Sequence, residues 1–341
     1  MHPLMKTMVL EEQAVIEQKP LALKLLPRPS PGPEEVLIRV SCCAICRTDL
    51  HIIEGDLPLK KMAIIPGHQA IGTIEALGTH VTGLRFGQKV GAAWLGYTCG
   101  NCPYCAVGKE NLCVSPKFTG YDFDGGYAEY MVAHQSFIYP LVENTNDILT
   151  APLLCAGIIG YRALKRSNFK PGDHLGIFGF GSSAHITAQI VLHEKGKISV
   201  VTRGEEHQKH ARDMGAFWSS GSTEGIPEET DAAILFAPAG ELVPNALSTL
   251  KRGGTLAIAG IHLSDIPTLN YEKHLFYEKD LRSVTANTRE DGKELLKKHS
   301  EMNLQPEVTV YSLEDANKAL LDLKNDKIKG TGVLQITSQH S

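Results

Sequence analysis

The chain has 341 residues, of which 43% are hydrophobic and 21% charged, as in ordinary globular proteins. At about 150 residues per domain, this length predicts two domains. With 34 basic and 38 acidic residues, the net charge of −4 argues against a nucleic-acid binder that relies on a basic face, and it gives no reason to expect attachment to anionic membranes. The N-terminal residues show no targeting signal, and the uncharged stretches 148–161 and 174–193 are too short or too polar to span a membrane. We therefore expect a cytoplasmic protein.

Residues 1–150 are rich in glycine and proline. Short apolar runs, such as 36–40 and 70–76, alternate there with turn sequences. Many short strands separated by turns are typical of a compact, barrel-like β domain, and we predict one here.

Three metal-binding side chains lie far apart in the sequence. Cys46 begins the segment CRTDLH, His68 lies in PGHQAIG, and Cys155 lies in PLLCAG. Two thiolates and one imidazole form the ligand set of a catalytic zinc whose fourth position stays open. Spacing alone indicates this only weakly, because a single His or Cys is more often part of a core.

Four further cysteines are closely spaced in a segment rich in glycine. The pattern is Cys99-x2-Cys102-x2-Cys105-x7-Cys113. Four thiolates in one short lobe can close a tetrahedral shell around zinc and leave no position for substrate, so the pattern predicts a structural zinc site. Four buried core cysteines are the less favoured interpretation, because such residues do not recur every third position through turns.

From residue 174 onward, apolar strand segments alternate with helical ones, which predicts a parallel, doubly wound sheet. The first strand runs into Gly179-Phe180-Gly181-Ser182-Ser183-Ala184, which opens a helix. In such a loop the first glycine permits the turn, the second lets a pyrophosphate approach, and the small third residue allows close packing. The loop therefore predicts dinucleotide binding at the helix N-terminus.

The second strand of this sheet ends in Thr202 and Arg203 rather than in a carboxylate. An acidic residue here would bind the adenosine ribose of NAD, whereas a guanidinium offers two parallel donors to a 2′-phosphate. We predict a preference for NADP, with His207 as a further candidate contact. The alternative is that Arg203 is only a solvated charge.

The C-terminal segment predicts a helix at 290–302, a strand at 308–311, a helix at 314–325 and a strand at 333–336. We expect this tail to return to the first domain. The predicted domains are then residues 1–154 with 289–341, and residues 155–288.

These segments occur in the order found in the zinc-dependent alcohol dehydrogenases of the medium-chain dehydrogenase/reductase superfamily, which the chain resembles over nearly its whole length. The segments are CRTDLH, GHQAIG, CGNCPYC with NLC, DGGYAEY, LLCAG and the glycine loop. The resemblance implies a GroES-like β-rich catalytic domain and a Rossmann domain. It implies a catalytic zinc on Cys46, His68 and Cys155, and a structural zinc on Cys99, Cys102, Cys105 and Cys113.

The resemblance also implies roles for neighbouring residues. Thr48 and His51 correspond to the proton-relay positions, which act with the 2′-hydroxyl of the nicotinamide ribose. Asp49 corresponds to the acid that orients the histidine ligand, Arg47 to a contact with the coenzyme pyrophosphate, and Trp94 to an aromatic wall of the substrate pocket.

Two features depart from the family pattern. Gln69 stands where members commonly have glutamate, which removes a negative charge beside the metal site. Cys42 and Cys43 match no motif, and we expect them to pack in the core.

The resemblance predicts reversible hydride transfer between primary alcohols or aldehydes and NAD(P), in a homodimer or homotetramer. The main alternative is an NADPH-dependent reductase of longer or aromatic, cinnamyl-type aldehydes. An alternative of another class is a nucleic-acid-binding or interaction protein with a zinc ribbon, which the net charge opposes.

Overall fold

The computed structural model describes residues 3–337, and the part of it up to Cys155 consists mainly of short strands. The strands are β1 (Leu4–Leu10), β2 (Leu21–Pro27), β3 (Glu35–Ala44), β4 (Ala70–Leu77), β5 (Lys89–Ala92), β6 (Leu95–Tyr97), β7 (Lys117–Phe118), β8 (Tyr130–His134) and β9 (Ile138–Pro140). The α-helices are α1 (Arg47–Glu54), α2 (Pro103–Ala106) and α3 (Asp147–Thr150). Short 3-10 helices lie at Ile16–Gln18, Glu110–Leu112, Gln135–Phe137 and Ala151–Leu154.

Strands and helices alternate in the next part of the chain. The strands are β10 (His174–Phe178), β11 (Lys197–Val201), β12 (Trp218–Ser220), β13 (Thr230–Leu235), β14 (Leu250–Ile258) and β15 (Asp280–Ser283). The helices are α4 (Ala156–Arg166), α5 (Ser182–His193), α6 (Glu205–Asp213), α7 (Val243–Ser248) and α8 (Tyr271–His274), with a 3-10 helix at Gly240–Leu242. The described chain ends with α9 (Arg289–Met302), β16 (Val308–Ser312), a 3-10 helix at Leu313–Asp315, α10 (Ala316–Lys324) and β17 (Thr331–Gln335).

The main sheet of the first unit has the strand order β16-β17-β3-β4-β5-β9, and β8 also pairs with β3. Strand β17 runs antiparallel to β3, with Val333 opposite Ala44. The C-terminal tail therefore returns to the first domain, as the sequence predicts. Strands β1 and β2 form a separate antiparallel pair, as do β6 and β7.

The second unit contains a parallel sheet with the order β12-β11-β10-β13-β14-β15. All five residues of β10 are buried, as expected for a central strand of a parallel sheet that is covered on both faces. The mixed α/β fold with a GroES-like domain and a Rossmann domain is confirmed.

The boundaries of the two compact units differ in three places from the expected domains. The first unit comprises the chain up to Cys155, Ala286–Lys293 and the chain from Pro306 onward; the second comprises Ala156–Thr285 and Glu294–Gln305. Most of α9 thus belongs to the second unit, where Glu294 pairs with Lys165 at 2.6 Å and the Gln305 amide donates to Gln189 at 2.8 Å. Composition alone does not reveal such side-chain contacts.

Each unit has its own hydrophobic core. Ile38, Ile74 and Met131 are buried in the first core, and Phe178 and Leu235 in the second. Burying one such side chain stabilises a fold by roughly 1.5–3 kcal/mol. Within residues 3–337, no single helix has the length and apolar character to cross a membrane, although the bent pair of Asp147–Leu154 and Ala156–Arg166 meets both criteria together.

Candidate active site and metal centres

The start of α1 places three of the predicted site residues, Cys46, Thr48 and Asp49. Cys46 is the N-cap, and its Sγ accepts a hydrogen bond from the Thr48 amide at 3.3 Å. The Asp49 carboxylate accepts from the Cys46 amide at 2.8 Å, which completes a capping box. The helix ends at Gly55, which adopts a left-handed conformation. The sequence CRTDLH thus fixes a thiol, a hydroxyl and a carboxylate at one helix end.

A tight turn before β4 positions His68. Gly67 has φ +98°, and a Cβ at this position would lie 2.4 Å from the ring of Tyr127. Only glycine satisfies both the backbone conformation and this close approach. The turn directs the His68 ring into the interior, where it is fully buried.

The structure brings Cys46, His68 and Cys155 together. Their ligand atoms all lie within 4.8 Å of one another, and Cys46 Sγ is 3.3 Å from His68 Nε2. On the other side of the imidazole, Asp49 Oδ1 lies 3.2 Å from Nδ1, so the carboxylate faces the nitrogen that does not face the thiols. This is the arrangement in which a carboxylate fixes the tautomer of a metal-ligating histidine.

The electrostatics of this cluster favour a cation. Burial by itself would lower the pKa of His68, but Cys46 and Asp49 raise it to about 10. A hydrogen bond from Cys155 lowers the pKa of the Cys46 thiol well below its usual range, and burial and the His68 cation act on it in opposite directions. The donor set therefore fits Zn²⁺, which takes thiolate and imidazole ligands.

Two other residues of α1 have acidic partners. His51 Nδ1 lies 2.7 Å from a carboxylate oxygen of Asp56. The Arg47 guanidinium pairs with Asp326 at 2.6 Å, on an exposed part of the first unit. A coenzyme contact by Arg47 stays a prediction.

Trp94 lies beside the three-residue cluster, with its ring centroid 5.0 Å from that of His68 in an edge-on arrangement.

Gln69 is fully buried, and within the described residues neither polar atom of its amide has a hydrogen-bond partner. Cys42 and Cys43 are buried in the first unit, and burial raises the pKa of both thiols. Their expected place in the core is thus observed.

The four cysteines of the predicted structural site also converge, with their sulfur atoms within 4.8 Å of one another. The amides of Cys99 and Ser115 donate to Cys113 Sγ at 3.3 and 3.4 Å. Amide donors at Cys105 and Val114 lower the pKa of the Cys102 thiol to about 6. Amide hydrogen bonds that favour thiolates suit a lobe that holds a divalent metal.

The glycine loop of the second unit has the geometry that a phosphate group needs. Gly179 has φ +89°, and a Cβ there would lie 2.8 Å from the Ala237 amide nitrogen, whereas a Cβ at Gly181 would meet no atom within 4 Å. No side chain caps the N-terminus of α5, which begins at Ser182 and continues through Ser183 and the buried Ala184. The open space and uncapped amides fit a pyrophosphate.

The ends of β10 and β11 lie side by side, with Phe178 opposite Val201 and the Gly179 amide donating to Val201 at 2.8 Å. Thr202 and Arg203 follow directly and so lie at the same sheet edge as the glycine loop. Thr202 is buried and Arg203 exposed. Within residues 3–337, Arg203 forms no ion pair.

Comparisons with known proteins assign the chain to a family. The model for the alcohol dehydrogenase GroES-like domain matches residues 32–143. The chain is 48% identical over 313 residues to the Mycobacterium tuberculosis protein named probable alcohol dehydrogenase AdhA, covering 90% of each. It is 34% identical over 334 residues to an alcohol dehydrogenase of Geobacillus stearothermophilus, covering 95% of this chain and 99% of that protein.

The chain belongs to the alcohol dehydrogenase family. This alcohol dehydrogenase also shares its fold with a cinnamyl alcohol dehydrogenase of Sorghum bicolor, at a TM-score of 0.88 and 23% identity over 97% of each chain. Membership over most of the chain excludes the zinc-ribbon alternative. Family membership makes the protein an oxidoreductase that acts on small-molecule substrates.

Sequence reasoning misses several residues around the site of this alcohol dehydrogenase. Asp56 carries no motif, although it faces His51. Glu110 and Arg289 form a bidentate ion pair that joins the start of α9 to the four-cysteine lobe. Phe118 stacks on Trp94 at 4.6 Å. For Asp56, the sequence signal is an acidic residue five positions after His51. The other contacts join distant segments of the chain and have no such signal.

Proposed function

We propose that this enzyme interconverts primary alcohols and aldehydes with a catalytic zinc on Cys46, His68 and Cys155, and that it prefers NADP(H). The observation that carries the proposal is the convergence of these three ligands within 4.8 Å of one another. Three protein ligands would leave the fourth position of a tetrahedral zinc available to substrate. The cysteine lobe, with four ligands, would hold a second, structural zinc.

When bound, the zinc would supply Lewis-acid polarisation of the substrate oxygen, and the coenzyme would supply hydride acceptance or donation. Asp49 keeps the His68 ring oriented, since its carboxylate faces Nδ1 at 3.2 Å. The burial of His68 and Asp49 keeps bulk water from the imidazole.

Proton movement is assigned to Thr48 and His51. The half-buried Thr48 lies two residues from the Cys46 ligand and carries a hydroxyl that can both accept and donate a proton. Asp56 engages Nδ1 of His51, so Nε2 is the atom that exchanges the proton with solvent.

The coenzyme preference rests on Arg203. Its guanidinium is exposed at the end of β11, beside the glycine loop, and no acidic residue follows the strand. Such a group favours a 2′-phosphate on the adenosine ribose. Gly179, Gly181, Ser182, Ser183, Ala184 and Thr202 would form the rest of the binding surface.

The aromatic residues beside His68 bear on the substrate. Trp94 would narrow the pocket and favour primary over bulky secondary alcohols. The same aromatic surface favours a second candidate, the NADPH-dependent reduction of aromatic aldehydes. A homodimer or homotetramer in the cytoplasm stays a prediction.

The proposed function is tested by initial rates of ethanol and cinnamyl alcohol oxidation with NADP⁺ and NAD⁺ in parallel, with and without a zinc chelator. Chelator-sensitive turnover that favours NADP⁺ supports the proposal, and faster turnover of cinnamyl alcohol selects the second candidate. Faster turnover with NAD⁺ would overturn the role of Arg203. Turnover that resists removal of the zinc would overturn the catalytic site.

A further inference from the structure

Three aromatic rings form a stack that reaches the catalytic cluster; we call Trp94, Phe118 and Tyr121 the aromatic shelf. Trp94 lies edge-on to His68 at 5.0 Å. Phe118 stacks on Trp94 nearly parallel, with centroids 4.6 Å apart and planes 13° apart, and Tyr121 lies 6.1 Å from Trp94. Offset stacking of this kind fixes ring orientation. The position of the indole beside His68 therefore depends on the rings behind it.

Lys60 contacts two rings of the aromatic shelf. Its Nζ lies 4.6 Å from the centroid of Tyr121 and 5.9 Å from that of Phe118, within the range of a cation–π contact. The same ammonium pairs with Asp122 at 3.1 Å. Asp122 in turn accepts a hydrogen bond from the Phe118 amide at 2.8 Å. The Lys60 side chain thus contacts the rings of Phe118 and Tyr121 and, through Asp122, the turn that carries these rings.

A second contact fastens the same segment. The Tyr121 hydroxyl donates to the Pro58 carbonyl at 2.9 Å. Residues 55–63, which contain Pro58 and Lys60, lie between the end of α1 and the turn that carries His68. Leu57 and Leu59 in this segment pack on the same hydrophobic core as Trp94 and Phe118. The segment between α1 and His68 is therefore in contact with the aromatic shelf.

We propose that Lys60 and Phe118 are positioning residues that determine which alcohols the enzyme accepts, because they hold Trp94 against His68. The inference rests on the proposed function, since it places the substrate oxygen at the metal bound by His68. Loss of the cation or of the stacked ring frees the indole to move. A pocket wall that moves admits larger alcohols and holds small ones less well.

The chain offers a matched control in the next residue. Lys61 pairs with Asp124 at 2.6 Å, and its side chain is 44% exposed, compared with 47% for Lys60. Within residues 3–337, Lys61 makes no cation–π contact. Lys60→Met and Lys61→Met therefore remove the same charge and the same kind of ion pair, but only the first removes a contact with the shelf.

The experiment measures kcat and KM for ethanol and benzyl alcohol with the zinc-loaded wild type, Lys60→Met, Lys60→Arg, Lys61→Met and Phe118→Leu. In Lys60→Met and Phe118→Leu we expect the ratio of kcat/KM for benzyl alcohol to kcat/KM for ethanol to rise by about three- to tenfold. This change is smaller than the effect of adding or removing one methylene group in a filled pocket. The change should appear mainly in KM. Lys60→Arg should restore the wild-type ratio, and Lys61→Met should retain it.

Tryptophan fluorescence gives a second readout that needs no turnover. The chain has two tryptophans, so Trp218→Phe leaves Trp94 as the only emitter. In that background, Lys60→Met and Phe118→Leu should change the emission maximum or anisotropy, whereas Lys61→Met should not.

The two readouts separate the inference from the proposed function. An unchanged selectivity ratio in Lys60→Met and Phe118→Leu, or an equal shift in Lys61→Met, would overturn the inference while the wild type remains active. If the wild type oxidises no alcohol, the proposed function fails. Independently of turnover, unchanged Trp94 emission in both Lys60→Met and Phe118→Leu would overturn the positioning role.

Discussion

His51 has one ring nitrogen held by Asp56 at 2.7 Å, and its side chain is 20% exposed. In the proposed relay, this histidine would pass a proton between the site and water. We expect His51→Gln to lower kcat at pH 7 by about tenfold, less than a buried general base contributes, because water reaches this position. The measurement is steady-state alcohol oxidation, together with zinc analysis.

The zinc content should be unchanged, because His51 is not a proposed ligand. Asp56→Asn is the matched variant, since it preserves the shape of the partner but removes its charge; it should lower kcat less than His51→Gln does. Wild-type rates in His51→Gln would contradict the relay assignment.

Arg203 permits a test of coenzyme choice that does not require turnover. We expect Arg203→Ser to raise the Kd of NADPH by roughly ten- to a hundredfold, since hydrogen bonds to a charged group contribute about 1.5–3 kcal/mol. The Kd of NADH should stay within about twofold, because NADH has no 2′-phosphate. Quenching of protein fluorescence during titration with each coenzyme measures both values.

Lys209→Ser is the control for general loss of surface charge, since Lys209 lies on α6 and pairs with Asp213 at 2.7 Å. An equal loss of NADPH affinity in both variants would show that charge alone, and not the position of Arg203, governs coenzyme binding.

At the scale of secondary structure elements, the start of α9 is joined to the four-cysteine lobe by one ion pair. Glu110 accepts three hydrogen bonds from Arg289: from the amide at 2.7 Å, from Nε at 2.9 Å and from Nη2 at 2.7 Å. Arg289→Gln would leave a largely buried carboxylate without its cation. We expect the free energy of unfolding of the first unit to fall by about 2 kcal/mol, below the value for a fully buried pair, because the Arg289 side chain is 36% exposed.

Zinc release to a chromophoric chelator during urea titration measures this loss at the lobe itself. The double variant Glu110→Gln with Arg289→Gln should lose less than the sum of the single losses, since neither partner then leaves a charge behind. Additive losses would show that the two residues act independently.

Helix α5 contains a buried histidine whose titration opposes folding in acid. Burial lowers the pKa of His185 to about 4. Between about pH 6.5 and 4 the unfolded chain therefore binds more protons at this histidine than the folded chain does. The contribution of neutral His185 to the free energy of unfolding is complete above pH 6.5 and decreases as the pH falls. The loss approaches about 3 kcal/mol near pH 4.

Hydrogen exchange of the α5 amides at pH 7.5, 6 and 5 measures this dependence. His185→Gln should flatten it, whereas His193→Gln, which changes an exposed histidine of the same helix, should not. An equally steep loss in His185→Gln would assign the acid sensitivity to other groups.

At the scale of the whole molecule, the sequence predicts what depends on local patterns. The cysteine spacing, the glycine loop and the alternation of strands and helices indicate the four-cysteine lobe and the Rossmann sheet, because each pattern encodes its geometry within a few residues. The cluster of Cys46, His68 and Cys155 joins distant segments, and only the family resemblance indicates it clearly. Contacts between distant segments have no such pattern. The ion pair of Glu110 with Arg289 and the position of Lys60 over Tyr121 appear only in the folded chain. The same reason explains why most of α9 was expected in the wrong unit.

The most direct test of the central claim is the zinc content of the purified wild type and of Cys155→Ser, measured together with alcohol oxidation. We expect two zinc ions per wild-type chain and one per variant chain, because the two ligand clusters are separate and the four-cysteine lobe is intact in the variant. The variant should be folded and inactive. A wild type with only one zinc, or a Cys155→Ser enzyme that still oxidises alcohol, would contradict the central claim.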